Sequence, residues 1–166
     1  KEEQRQEHKN ADGEPHSKAR IRQVQQARAL RRMMSKVPKA DVIVTNPSHF
    51  AVALSYQKEK NGAPRVVAKG ADDVALRIRE IAAEHHLPML EAPPLARALY
   101  FHVDLDREIP IELYTVVAEV VAWAIRLKRV SEHGGDLPPT PVNLTVPPGM
   151  DQRGPRTPTP EDDPNA

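Results

Sequence analysis

The stretch that most limits what this chain can fold into is Asp41-Val42-Ile43-Val44-Thr45-Asn46-Pro47-Ser48-His49-Phe50-Ala51-Val52-Ala53-Leu54. Two β-type runs meet head-on at Asn46-Pro47-Ser48-His49, with almost no loop between them. Their β-branched content predicts strands over Asp41 to Thr45 and Ala51 to Tyr56, and Asn-Pro is a turn dipeptide. The bond is also chemically unusual. In ordinary asparagine decay the next backbone nitrogen attacks the side chain, and proline has no N–H for that step. The reverse attack stays open: the Asn46 amide nitrogen closes a succinimide on its own carbonyl and expels Pro47.

The residues therefore support two readings, a plain turn and a turn that cuts itself. Self-cutting needs the Asn46 side chain aimed at its own carbonyl, with the flanking strands as the clamp. Fixed orientation contributes about 7–11 kcal/mol to such a step, and a strained turn about 1–3 kcal/mol more. His49 is placed either to move a proton between the attacking amide and the departing Pro47 nitrogen, or to satisfy turn backbone groups. Ser48 reads as a turn-stabilising hydroxyl.

The rest of the chain predicts a small α/β domain. Residues 1–17 read as a linker without apolar period, and 18–36 as a long basic helix with a narrow apolar stripe that Pro38 stops. Arg65 to Lys69 is a third strand, ended by Gly70. Asp72 then caps a helix to about His86, with Val74, Ile78, Ile81 and Ala82 as its buried stripe. Pro88 to Glu91 is a fourth strand, and Pro93-Pro94 opens a short helix to about His102. Ile109 to Lys128 is a last apolar helix, carrying Leu113, Val116, Val117, Val120, Val121, Ala124 and Leu127. About four short strands flanked by three helices follow, with parallel pairing invited across a helix and the first two strands free to pair either way.

Composition mainly excludes. At 166 residues the chain holds one domain plus tails. The 39% hydrophobic content is low and 17 prolines are many, but both deviations sit at the ends. The tail over 131–166 is polar and proline-rich and is expected to be disordered, extended or lying loosely on the domain. A net charge of +1 makes no general case for nucleic acid. The lack of cysteine removes disulfides, thiolate zinc sites and cysteine nucleophiles. His85-His86 has no third ligand at a sensible spacing, so no metal is expected. Asp72-Asp73 and Asp104/Asp106 read as caps and solvated faces. No phosphate loop, signal peptide or bilayer-length apolar run is present, and no cofactor is expected. The sequence opens on Lys1 rather than Met, which reads as a fragment with something upstream.

The run Val42 to Leu54 resembles the switch region of the FlhB/YscU family of type III secretion proteins, whose motif is Asn-Pro-Thr-His. Val66-Val67-Ala68-Lys69-Gly70-Ala71-Asp72, then Ala75 to Ala82, then Leu90-Glu91-Ala92-Pro93-Pro94-Leu95-Ala96-Arg97-Ala98-Leu99-Tyr100 continue the likeness. Ile109-Pro110, Tyr114 and Val117 to Trp123 complete it, over about residues 14 to 130. Arg20-Ile21-Arg22-Gln23 and Arg31-Arg32-Met33-Met34 are most like the flagellar branch.

The resemblance implies a cytoplasmic domain at the bacterial inner membrane, preceded in the full-length protein by a membrane-embedded part. It implies one self-cleavage, between Asn46 and Pro47, into pieces 1–46 and 47–166 that stay together through a shared sheet. That event would switch export from rod and hook subunits to filament subunits, without turnover. The implied partners are export-gate membrane proteins, exported rod and hook subunits and a hook-length ruler protein. Early subunits would dock on a patch of Ala63, Pro64, Ala118 and Val121, the last two reading equally well as core. Ser48 stands where the family usually has Thr, which keeps the hydroxyl and loses the stiffening β-branch. A passive docking scaffold and an injectisome counterpart are the rival readings.

Overall fold

The computed structural model describes residues 2–57 and 62–154, with side chains from residue 14 onward. The chain divides into two units, Lys1–Ser35 and Lys36–Ala166. The first is almost entirely one helix, α1 (Glu2–Lys36). It runs back through Pro15 to Glu2, so the expected linker over 1–17 is largely helical. Its Glu, Gln, Lys and Arg residues are good helix formers even without an apolar face. Of the expected stripe of Ile21, Val24, Ala27/Arg28 and Met33/Met34, Ile21 and Val24 are exposed and Met33 is buried. As expected, α1 stops at Pro38, inside a 3-10 turn over Val37–Lys39.

The second unit is built on a five-stranded sheet. β1 (Val42–Asn46) and β2 (Phe50–Ser55) form an antiparallel hairpin. β3 (Arg65–Ala71) adds antiparallel to β2, β4 (Met89–Glu91) adds parallel to β1, and β5 (Arg107–Glu108) adds antiparallel to β3. The order is β4-β1-β2-β3-β5, so β1 lies inside the sheet. Sequence expected about four strands; the extra one, β5, has two exposed residues and no apolar pattern to announce it.

Helices cover both faces, which is why β1 and β2 read as unbroken apolar runs. α2 (Asp72–Glu84) packs on the face that carries Ala51, Ala53 and Ala68, with Ala75, Ile78, Ile81 and Ala82 buried. Val74 of the expected stripe is only half-buried, and Ala75 takes its place. α3 (Pro93–His102) and α4 (Tyr114–His133) cover the other face. There Val42, Val44, Val52, Leu54 and Val66 meet Leu95, Leu99, Val117 and Val120. A bulge in β3 beside Ala53/Leu54 lets Val66 and Lys69 share this face despite their odd spacing.

Two local expectations change. β3 does not end at Gly70 but continues to Ala71, because β2 pairs with it to the end, Ala51 with Gly70 and Phe50 with Ala71; the glycine instead makes room for the α2 side chain Val74. Asp72 is not an N-cap: Ala71 holds that position, no side chain caps the helix, and Asp72 starts it at φ 50. At the far end α4 runs to His133, past the expected start of the tail. Residues 134–154 form neither helix nor strand, yet Leu144, Val146 and Met150 pack on the core. The remainder of the expected tail, 155–166, lies outside the described residues.

Candidate functional site

The four motif residues form the tip of the β1–β2 hairpin. Asn46 ends β1 directly across from Phe50. The His49 N–H donates to the Asn46 carbonyl at 3.0 Å, closing a four-residue turn. Pro47 supplies the fixed φ that its first corner needs, and Ser48 takes the second corner at φ 70. Proline followed by a left-handed residue is the pattern of a type II turn, where the second corner is normally glycine. Ser48 is thus held in a backbone state that L-residues with a side chain avoid. Pro47, Ser48 and His49 are exposed, and Asn46 is half-buried at the sheet edge.

The turn is clamped on every side. The Thr45 carbonyl accepts from the Ala92 N–H at 2.9 Å, and Thr45 itself is buried at 7% exposure. The His49 carbonyl accepts from the Asp72 N–H at 3.1 Å. Asp72 is a second left-handed residue, so strained positions stand on both sides of His49. Phe50 stacks on Tyr100 with ring centres 4.4 Å apart and meets the edge of Phe101 at 5.4 Å. Such pairs add about 0.5–1.5 kcal/mol beyond buried area.

Lys69 completes the support. Its Nζ donates to the carbonyls of Tyr100 at 2.9 Å and Val103 at 2.8 Å, where α3 ends, and lies 5.5 Å from the Tyr100 ring centre. Free carbonyls at a helix C-terminus attract a cation. Burial lowers the Lys69 pKa, and the nearby Asp104 charge opposes that shift.

Asn46, Pro47, Ser48 and His49, the residues singled out by the sequence, occupy the four positions of one turn. The sequence did not single out Phe50, Tyr100, Phe101 or Lys69 as supports; the aromatic residues were visible, but their partner lies far away along the chain. The four residues of the docking patch differ in exposure. Ala63 and Pro64 are half-buried before β3, Pro64 accepting from the Ile109 N–H at 3.0 Å. Ala118 is exposed on α4. Val121 is not surface: at 5% exposure it belongs to the core cluster, on the buried stripe with Val117 and Val120. Among the described residues no cluster of three His, Cys, Asp or Glu side chains could hold a metal, and no helix is long and apolar enough to cross a membrane.

Comparison with known proteins agrees with this architecture. The family described as FlhB HrpN YscU SpaS matches residues 1–124. The chain belongs to that family. It is 60% identical over 147 residues, 89% of its length, to the flagellar biosynthetic protein FlhB of Salmonella typhimurium strain LT2. It is 51% identical over 123 residues, 74% of its length, to that of Bacillus subtilis strain 168. The chain spans 38% and 34% of those two relatives, so it corresponds to a part of each. Among solved structures, the cytoplasmic domain of FlhB from Shewanella putrefaciens matches with a TM-score of 0.67 and 47% identity, over 73% of this chain and 94% of that one. An asparagine-to-aspartate variant of the EscU C-terminal domain matches with a TM-score of 0.54 and 32% identity, over 55% of this chain and 98% of that one.

Proposed function

We propose that this chain is the cytoplasmic domain of a flagellar type III export component, and that it cuts itself once at Asn46-Pro47 to change which subunits are exported. The observation that carries this reading is the turn itself. An Asn-Pro bond sits at the tip of a hairpin whose strands are pinned from both sides, next to a serine at φ 70.

The chemistry balances within the chain. The Asn46 side-chain nitrogen attacks the Asn46 carbonyl carbon, a new C–N bond closes the succinimide, and the C–N bond to Pro47 breaks. The proton lost by the attacking amide ends on the Pro47 nitrogen, with His49 as the carrier. Water later opens the succinimide. The reaction happens once per molecule and involves no turnover.

The pieces, 1–46 and 47–166, stay together because β1 is paired with β2 and β4, both from the second piece. Rod and hook subunits would be captured weakly at Ala63, Pro64 and Ala118, small apolar residues that keep some exposure. Export-gate membrane proteins and a hook-length ruler protein are the remaining partners, at the cytoplasmic face of the inner membrane.

The test is the intact mass of freshly purified protein under denaturing conditions, for the parent chain and Asn46→Ala. Two species, 1–46 and 47–166, are expected from the parent and one chain from the variant. A single uncut parent chain, or a cut at the same bond in Asn46→Ala, defeats the mechanism and leaves a passive docking scaffold.

A further inference from the structure

Beyond α4 the chain turns at Gly134 and Gly135, φ 76 and 119, and doubles back along the helix it has just left. Asp136 to Pro139 lie beside Arg126, Arg129 and Val130 near the end of α4. Asn143 to Pro147 lie beside Glu112, Thr115, Val116 and Glu119 near its start. Burial alternates along this return: Leu144 and Val146 are half-buried, while Asn143 and Thr145 are exposed. Leu144, Val146 and Met150 pack on the core cluster.

The segment then makes a turn of its own. The Met150 N–H donates to the Pro147 carbonyl at 3.1 Å, with Gly149 at φ 82 after Pro148. That turn delivers Asp151 to Arg97 of α3 at 3.2 Å and the Gln152 carbonyl to the His102 ring nitrogen Nε2 at 2.9 Å. The fit beside His102 is close, since a Cβ on Gly154 would lie 3.2 Å from its Cε1.

A polar, proline-rich segment needs something to offset its ordering entropy. Here prolines and a preset turn lower that entropy, alternate apolar side chains find a surface, and a charged anchor fixes the end. Those are the marks of a bound extended peptide.

We propose that the α3–α4 face is a peptide-binding groove, filled at rest by the chain's own residues 141–152. When this strap lifts, the groove accepts a separate extended peptide of the same chemistry. That peptide carries aliphatic side chains two residues apart, a Pro-Pro-Gly turn, and a carboxylate for Arg97. The strap leaves Ala118 exposed, although Thr115, three positions earlier on the same side of α4, lies beside it. The proposal is independent of any cut at Asn46.

The test uses the full chain. Leu144→Asp together with Val146→Asp puts charge on the half-buried side of the strap without altering the groove. A fluorescent peptide of residues 140–154 is titrated into parent and variant, with polarisation as the readout. A covered groove competes at an effective concentration near millimolar, so the variant binds the peptide at least about tenfold more tightly than the parent. Arg97→Ala added to the variant weakens that binding about threefold, and does not weaken a peptide carrying Asp151→Ala. Equally weak binding to parent and variant, at unchanged circular dichroism, overturns the proposal. Equally tight binding overturns it too, because the groove would then not be covered. If the double variant loses its fold, Met150→Ala with Asp151→Ala serves under the same criteria.

Discussion

Ser48 and Gly149 occupy the same corner of the same kind of turn. Each follows a proline, and their φ values are 70 and 82. Each turn is closed by one backbone bond, His49 to Asn46 at 3.0 Å and Met150 to Pro147 at 3.1 Å. Gly149 adopts this backbone freely. Ser48 carries a Cβ, which the left-handed region disfavours by about 1–2 kcal/mol. One protein thus contains a relaxed and a strained copy of one turn, and the strained copy adjoins the Asn46-Pro47 bond.

That comparison sets an order of rates. Ser48→Gly relaxes the turn and is expected to slow cleavage. Ser48→Thr adds a β-branch where the backbone tolerates it least and is expected to speed it. In an Asn46→Ala background, where no cut interferes, Ser48→Gly raises unfolding stability by about 0.5–1 kcal/mol in a urea titration. Equal cleavage rates for Gly, Ser and Thr would remove strain from the mechanism.

Gly70 is fixed by its neighbour rather than by its backbone angle. A Cβ there would sit 2.7 Å from the Val74 Cβ. Gly70→Ala should destabilise the domain by about 1–3 kcal/mol, as overpacking does. Adding Val74→Gly, which takes away the Cβ as well as the methyl groups, should shrink that loss when measured against Val74→Gly alone. Thermal melts of the single and double variants decide it, and no rescue would place the cost elsewhere.

Lys69 gives a pH dependence with a definite sign. Its pKa in the folded protein lies below the ordinary 10.5, chiefly through burial. Between those two values the unfolded chain binds more protons than the folded one, so stability rises with pH across that interval. Relative to Lys69→Met, the parent should gain stability between neutral pH and pH 10.5. Parallel denaturation curves for the two proteins over that range would contradict the assignment.

The cohesion of a cut chain should depend on β1 side chains. Val44 is fully buried between its register partners Val52 and Leu90. Val44→Ala removes two methyl groups and leaves a cavity, a loss of about 2–3 kcal/mol. With 47–166 immobilised after cleavage, the 1–46 piece of this variant should wash off at clearly lower urea than the parent. Release at the same urea concentration would mean that β1 is not what holds the pieces together.

The hairpin was legible because β-branched runs flank a turn dipeptide and nothing else fits so short a connection. α2, α3 and α4 were legible from apolar spacing. β5 was not, since Arg107 and Glu108 are exposed and form a strand only because β3 offers an edge. The left-handed state of Ser48 was hidden because serine at that corner defies the usual glycine preference. The even reading of Val121 as patch or core resolves to core: it lies on the same helical stripe as Val117, Val120 and Ala124, all buried, whereas Ala118 falls off that stripe. The strap was masked by its prolines, although the pair Leu144-x-Val146 was there to read; Val142, two residues earlier, stays exposed.

The interior position of β1 has a mechanical side. It is paired at five positions with β2 and at three with β4. If the Asn46-Pro47 bond opens, no strand becomes an edge and no apolar surface is uncovered. The molecule changes from one polymer into a complemented pair at almost unaltered shape. Tension arriving along the chain from the Lys1 side would then no longer pass through a covalent bond into the rest of the domain. It would be borne by a ladder of hydrogen bonds loaded in shear, a joint with a finite breaking force and therefore a finite lifetime.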